Sequence, residues 1–461
     1  MGRRLHLHRS PTLNRRAAVA GLGMAAALGP HGLARPLLAQ DDSGSSAPET
    51  DLVLWAWAGA TTSTSFTVRA ALKTTAPDAQ LVVSERDDLA DAWMIPPLND
   101  PATEEVLAFS VDDLEPDTDY WYAVSGNGIT ERLMQGHVRT FPDGPATFTF
   151  AFSACANTGS NARVFETIRE LEPLFFLHTG DFHYGDIEEN DPALYREAFD
   201  AQLVSPRQSE LYRSTSVSYI WDDHDFGPNN SDRTSPGREA AQENYRDVVP
   251  HYPVPDDGAI YQAFTVGRAR FIMTDNYSYR SPDDDEDGPD KTMLGEQQKD
   301  WLKEELLAAS GSYPVIVWVN SQPWISIAGP DGDGWGPFAT EREEIATFIV
   351  ENGIEGLVML SGDAHMLAID DGSNNTYGPN GGAGFPVFHA AALDRDGSVK
   401  GGPYSEGTYP GPGHFGVMTV HDEGGDGVEI TWSGQNKDGE ELLRHRFRLA
   451  ASGSATPAGS D

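Results

Sequence analysis

An all-β sandwich followed by a larger α/β (α+β) domain is the fold class the sequence predicts, and three observations predict it. Between Leu52 and Pro142 short alternating strands are broken by turn residues. From Ala146 onward apolar strands alternate with helix-like stretches, among them Asn161 to Leu171, Gln298 to Ala309 and Glu341 to Asn352. A chain of 461 residues also exceeds one ordinary core, which fits two domains plus tails.

The elements follow in order. Residues 1–40 read as an export signal, because Arg15-Arg16 is followed by Ala17 to Leu28, almost all small or apolar. The paired arginines favour the twin-arginine route, which carries folded and often metal-loaded proteins, so the protein is expected in the periplasm, on the cell surface or outside the cell. No Cys follows the apolar stretch and no apolar run is long enough to span a bilayer, so no membrane anchor is predicted. Residues 41–49 are a Ser/Asp/Gly-rich linker, 50–143 the sandwich and 146–450 the α/β domain; 451–461, small and polar with nothing to bury, is expected to be a disordered tail.

Charge and cysteine usage narrow the partners. With 71 acidic against 32 basic residues the formal charge is -39, which leaves no basic surface to track a nucleic-acid backbone, so stable nucleic-acid binding is not expected. The single cysteine, Cys155, has no disulfide partner within the chain, and a free thiol outside the cell is a liability unless it is buried or ligated.

Four apolar strands of the second half each end in potential metal ligands. Phe148 to Ser153 runs into Cys155 and Asn157, and Leu174 to His178 into Gly180-Asp181-Phe182-His183-Tyr184-Gly185-Asp186. Ser218 to Trp221 runs into Asp222-Asp223-His224-Asp225, with Asn229 and Asn230 just beyond, and Leu357 to Leu360 into Ser361-Gly362-Asp363-Ala364-His365. The carboxyl ends of strands in an α/β sheet share one rim, where side chains far apart in sequence converge. Singly, each residue has a structural reading: Asp181 or Asp363 as a turn cap, His224 or His365 as a core histidine, Cys155 as a buried thiol. Four clusters together are harder to obtain by chance, and the run Asp222 to Asp225 is costly at a strand end unless cations neutralise it. Carboxylates suit hard cations such as calcium, while thiolate, phenolate and imidazole suit iron or zinc, so a mixed centre is expected.

The order Cys155, Gly180-Asp181 with Tyr184, Trp221-Asp222-Asp223-His224-Asp225 and Gly362-Asp363-Ala364-His365 resembles the PhoD-like branch of the calcineurin-like metallophosphoesterases. The connecting text Thr274-Asp275 to Tyr279-Arg280-Ser281 and Leu294-Gly295-Glu296-Gln297-Gln298 to Trp301-Leu302 is similar to that family too. At the front, the turn and strand Leu114 to Tyr122, with Tyr120 and Tyr122 on one face, resembles the tyrosine corner of fibronectin type III sandwiches and the family's N-terminal domain.

The resemblance implies two β-sheets flanked by helices, holding one iron, Fe(III), and one or two calcium ions, Ca(II). It implies that Asp181 bridges metals, Cys155 and Tyr184 bind iron, Asp223 serves the second site, and Asp363 and His365 close the shell, with Asn229 or Asn230 adding a calcium ligand. His224 would face the substrate as acid or phosphoryl stabiliser, beside Asp181 and Asp223. The implied activity is that of an extracytoplasmic alkaline phosphatase and phosphodiesterase, hydrolysing small or polymeric phosphate esters by a metal-activated hydroxide and scavenging phosphate. Two departures bear on substrate contacts. Tyr277 stands where family members commonly carry Arg, so phosphate contacts there differ or come from Arg280, and His183 either lines the pocket or fills the turn.

Other signals carry less. Asp283-Asp284-Asp285-Glu286-Asp287-Gly288 begins like an EF-hand loop, but Leu294 stands where its closing Glu belongs, so it reads as a solvated acidic loop. Gln322, after the strand Val315 to Asn320, is a further rim residue. Two alternatives stand beside the broad esterase: a selective phosphodiesterase acting on nucleotides, phospholipid headgroups or polymers, and, from another class, a non-enzymatic calcium-binding adhesion protein. The last predicts calcium binding without iron and no activity to lose on replacing Asp181 or Asp223.

Overall fold

The computed structural model describes residues 51–450 apart from 331, 333 and 383; the expected export signal, linker and tail lie outside the described residues. Eight strands come first: β1 (Val53–Gly59), β2 (Phe66–Leu72), β3 (Gln80–Ser84), β4 (Trp93–Ile95), β5 (Val106–Val111), β6 (Asp119–Gly126), β7 (Ile129–Thr130) and β8 (Gly136–Arg139). β1, β2 and β5 share one sheet, while β4-β3-β6-β7 with β8 on β6 forms another. Both contribute to one core, in which Phe66, Val68, Leu107 and Phe109 of the first meet Leu81, Val83, Tyr120, Tyr122 and Val138 of the second. The Tyr120 hydroxyl accepts a hydrogen bond from the Glu115 main-chain N–H at 3.0 Å, which ties the turn to the strand it leads into.

The later half runs β9 (Phe148–Ser153), α1 (Arg163–Glu170), β10 (Phe175–His178), α2 (Pro192–Leu203), α3 (Pro206–Ser214), β11 (Ser216–Tyr219), α4 (Asp223–Phe226) and α5 (Arg238–Val248). There follow β12 (Gln262–Val266), β13 (Ala269–Met273), α6 (Glu296–Ser310), β14 (Val315–Val319), α7 (Ala339–Glu351), β15 (Leu357–Ser361), β16 (Met366–Asp370), β17 (Val387–Ala390) and β18 (Thr408–Pro410). Three antiparallel strands complete it: β19 (His414–His421), β20 (Gly427–Asn436) and β21 (Glu441–Ala450). Helices α1, α6 and α7 stand at the three helical stretches expected from the sequence.

Two large sheets result. One has the order β21-β20-β19-β9-β10-β11-β1-β2-β5, so the front strands continue a sheet of the later half; the other has the order β12-β13-β14-β15-β17-β16-β18. Their facing sides share a core built from alternate residues: Phe150 and Phe152 of β9, Phe175 and Leu177 of β10, Val315, Val317 and Val319 of β14, Val358 and Leu360 of β15. The intervening residues turn outward to the helices. Ala151 and Phe176 meet Phe165 of α1, Phe199 of α2 and Tyr245 of α5, and Ile316, Trp318 and Met359 meet Leu302 of α6 and Ile345 of α7. Burial on both faces is why these strands read as continuous apolar runs.

The register carries the clusters to one end. β9, β10 and β11 are parallel, with His178 level with Ser153 on one side and Tyr219 on the other. The residues that follow these three, Cys155, Asp181, Asp222 and Asp223, therefore leave neighbouring strands at one height. In the second sheet β14, β15 and β17 are also parallel, so the residues after Val319, Ser361 and Ala390 emerge together.

Candidate metal centre

Sharp turns aim the side chains. Cys155, Asp181 and Asp363 follow their strands by two or three residues and adopt left-handed conformations, with φ of 65°, 51° and 61°. Such angles are disfavoured for residues with a Cβ and gather at sites where the surrounding structure enforces them. Gly362 lets the two sheets' loops meet: a Cβ there would lie 2.7 Å from the Thr179 carbonyl oxygen and 2.9 Å from the Ala154 Cβ.

Asp181 sits at the middle. Its Oδ2 accepts a hydrogen bond from the Tyr184 hydroxyl at 2.7 Å and lies 3.4 Å from the Cys155 Sγ. The Tyr184 hydroxyl is also 3.3 Å from His365 Nε2. His365 is fixed from behind, its Nδ1 2.6 Å from the Asp396 carbonyl oxygen, which sets Nδ1 as the protonated nitrogen and turns Nε2 to the centre. Ligand atoms of Cys155, Asp181 and His365 lie within 4.8 Å of one another, and so do those of Asp181, Asp223 and His224. Asp181 belongs to both groups.

On the second side, Asp223 Oδ1 accepts the main-chain N–H of His224 at 3.0 Å and Oδ2 that of Asn230 at 2.6 Å. His224 Nδ1 is 2.5 Å from Asp186 Oδ1, and the imidazole packs on the Tyr184 ring with centroids 4.1 Å apart. Asp363 completes the set, its Oδ1 2.6 Å from the Lys400 ammonium.

The residues of this cluster are short of positive charge. Burial, then the nearby Asp223, Asp222 and Asp225, pushes the Asp181 carboxyl well above the usual carboxylate range. Asp222 is pushed up by burial and by Asp363 and Asp223. Asp363 is raised by burial and pulled back in part by Lys400. The Cys155 thiol is raised by burial and by Asp181. Asp181 Oδ1 and Asp222 Oδ2 are buried with no hydrogen-bond partner among the described residues. An oxygen in that position carries a desolvation cost that a bound cation offsets. A thiol, a phenol and an imidazole on one side of Asp181, with carboxylates on the other, fit two metal positions of different character.

Every residue expected at the centre lies at this end of the sheets, with one difference in how it is attached. Asn230 is joined through its main chain, in a left-handed conformation with φ 59°, and both Asn229 and Asn230 are exposed. His183 fills the turn: its ring is buried against Phe199, Nδ1 accepts the Gly185 N–H and its own N–H goes to Asp225. Asp225 closes the first turn of α4 by also accepting the Asp222 N–H, so the charge run is partly a capping device. Arg280 is buried and held by Asp283, while the Tyr277 hydroxyl accepts from Gln322 Nε2 at 2.6 Å. The acidic loop is pinned by Lys291, which donates to the Asp283 and Asp285 carbonyls.

Four contributors were not singled out from the sequence. Asp222 Oδ1 accepts from Ser321 and Gln322, which bridges the two sheets across the site. Asp186 holds His224. Arg395 lies over the Tyr184 ring, 3.9 Å from its centroid, and bonds Asn157. Lys400 reaches Asp363. The last two come from the loop after β17, which is rich in Gly and has no motif to mark it; Asp186 ends a quoted motif, where its two-residue distance from Tyr184 was the available signal.

The model of the PhoD-like phosphatase family matches residues 150–403, which span the whole centre. Alkaline phosphatase D of Bacillus subtilis (strain 168) is 24% identical over 318 residues, 58% of this chain and 54% of that protein, so the match spans about half the relative's length. Among solved structures, one of PhoD aligns with a TM-score of 0.67 at 18% identity, covering 88% of this chain and 92% of the other. A purple acid phosphatase from yellow lupin (Lupinus luteus) seeds aligns with a TM-score of 0.61 at 12% identity, covering 87% and 74%. At these identities the two structures speak to a shared fold.

Proposed function

The chain belongs to the PhoD-like phosphatase family, and from that premise we propose that it is an extracytoplasmic, metal-dependent phosphatase and phosphodiesterase of broad selectivity. The observation that carries the proposal is the convergence on Asp181 of a thiol, a phenol, an imidazole and a second carboxylate, with a buried Asp181 oxygen left without a protein partner. In this reading Cys155 and Tyr184 would hold iron, Asp181 would serve both positions, Asp223 would serve the second, Asp363 and His365 would close the shell, and Asn229 or Asn230 would add a calcium ligand. Bound cations of this kind neutralise phosphate oxygens and lower the pKa of water, which supplies a nucleophile at alkaline pH.

The chain's own groups do the rest. A carboxylate oxygen accepts, so in the contact with Asp186 Nδ1 of His224 is the donor and Nε2 is left to face the substrate. Nε2 lies 4.0 Å from Asp223 Oδ1, so a substrate group bound beside Asp223 would come within its reach. The Tyr184 ring fixes the plane of the imidazole. Burial of the Asp181 and Asp222 carboxyls keeps bulk water from competing with the ester.

The Tyr120 to Glu115 bond supports a fibronectin type III-like front, for which 50–143 is the proposed extent, with 146–450 as the phosphoesterase domain. Export rests on Arg15-Arg16 and the apolar residues after them, and no helix among the described residues is long and apolar enough to cross a membrane.

The test is hydrolysis of a chromogenic phosphate diester, beside the monoester, at alkaline pH by the purified chain, chelated and then resupplied with calcium, next to Asp181→Asn. Activity that calcium restores in the wild type and not in the variant supports the proposal. A metal-replete protein inert on both esters sinks it and favours the calcium-binding adhesion alternative.

A further inference from the structure

Among the described lysine and arginine side chains, Lys400 is the one paired with a carboxylate assigned to the metals. Its ammonium lies 2.6 Å from Asp363 Oδ1, and Asp223 and Asp222 act on it as well. The two partners differ in exposure: the Asp363 side chain is 7% exposed, that of Lys400 36%. The lysine thus reaches in from the surface on a flexible stem, while its carboxylate is fixed by the turn after β15. Its neighbours on the same loop frame the centre, since the Asp396 carbonyl and the Ser398 hydroxyl orient His365 and Arg395 covers Tyr184.

Resting on the metal-dependent reading above, we propose that Lys400 and a divalent cation compete for the Asp363 carboxylate, and that the ammonium displaced by the cation takes up a non-bridging oxygen of the substrate's phosphate. A cation held by the same carboxylate repels the ammonium now 2.6 Å from it, and the phosphate of a bound substrate offers the displaced head an anionic acceptor. The flexible stem lets the head make that move without disturbing the loop's grip on His365. In this arrangement Lys400 supplies a positive charge for the phosphate, and Arg280, held by Asp283, is not needed for it.

The test is calorimetric titration of calcium into the chelated full chain, wild type against Lys400→Met, with Lys400→Arg as the charge-retaining control. Removing the competitor raises the fraction of protein ready to take the cation, so Lys400→Met is expected to bind calcium about tenfold more tightly, and Lys400→Arg like the wild type. Inorganic phosphate titrated into the calcium-loaded proteins is expected to bind Lys400→Met about tenfold more weakly and Lys400→Arg nearly as well as wild type. Calcium affinity that is unchanged or weakened in Lys400→Met overturns the competition, because a lysine that merely supports the loop gives that result. Unchanged phosphate affinity overturns the second role. A wild-type chain that takes up no calcium overturns this inference together with the metal reading beneath it.

Discussion

His224 and Asp186 are joined by a 2.5 Å contact between Nδ1 and Oδ1, although Asp186 is about half exposed and stands on a different loop. The carboxylate fixes which imidazole nitrogen faces the centre. Asp186→Asn, whose amide can rotate to donate instead of accept, is expected to lower kcat by about 10- to 100-fold with KM little changed. Metal content measured on the same samples should equal that of the wild type, and a drop in metal content would show that Asp186 acts by holding the site together.

Asp181 is shared by both groups of ligand atoms, so its loss reaches both. Asp181→Asn is expected to reduce turnover by at least about a thousandfold. Elemental analysis should find less than the wild-type metal content, whereas full content with lost turnover would restrict Asp181 to the chemistry.

The carboxyls of Asp181 and Asp222 have folded-state pKa values above their unfolded ones, chiefly through burial. Their contribution to stability is therefore complete below the unfolded value of about 4 and is lost as pH rises through the folded values. Chelated protein is expected to lose melting temperature as pH climbs above about 4, and calcium should flatten the slope by compensating the ionised pair. Asp222→Asn in chelated protein should flatten it too. A wild-type melting curve equally steep with and without calcium would contradict this.

Gly362 tests the meeting of the sheets. Its φ is not in the left-handed region, so Gly362→Ala adds no backbone strain, only the collision with the Thr179 carbonyl and hydroxyl oxygens and the Ala154 Cβ. The expected cost is about 1–3 kcal/mol of unfolding free energy, read from urea denaturation. A neutral result would mean that the loops after β9 and β15 separate easily, in conflict with one rim.

The strands and their ends were legible because parallel strands buried on both faces leave unbroken apolar runs, and a polar cluster after each run has one place to go. Phe148 to Ser153 before Cys155 and Leu357 to Leu360 before Asp363 are such cases. What stayed hidden depends on tertiary contacts without local pattern. Lys400 lies 35 residues beyond His365 in a Gly-rich loop, and only the fold brings it to Asp363. Asp225 looked like one more ligand in an acidic run, yet its side chain is spent on main-chain N–H groups. The extent of the front sheet was equally invisible, since pairing of Gly59 with Val217 links residues 158 positions apart.

That pairing has a consequence for anyone shortening the protein. Trp57 of β1 packs on Phe182, the residue after Asp181, with centroids 5.6 Å apart, and donates its indole N–H to the Val248 carbonyl. A chain begun near residue 144 would strip the outer partner from β11, leaving an open sheet edge ready to pair with another molecule. It would also open a tryptophan-sized hole behind the Asp181 turn. Amputation of the front is thus expected to yield a sticky, slack-jawed fragment whose metal-binding turn has lost its backing, so the β-rich front acts as a buttress for the chemistry.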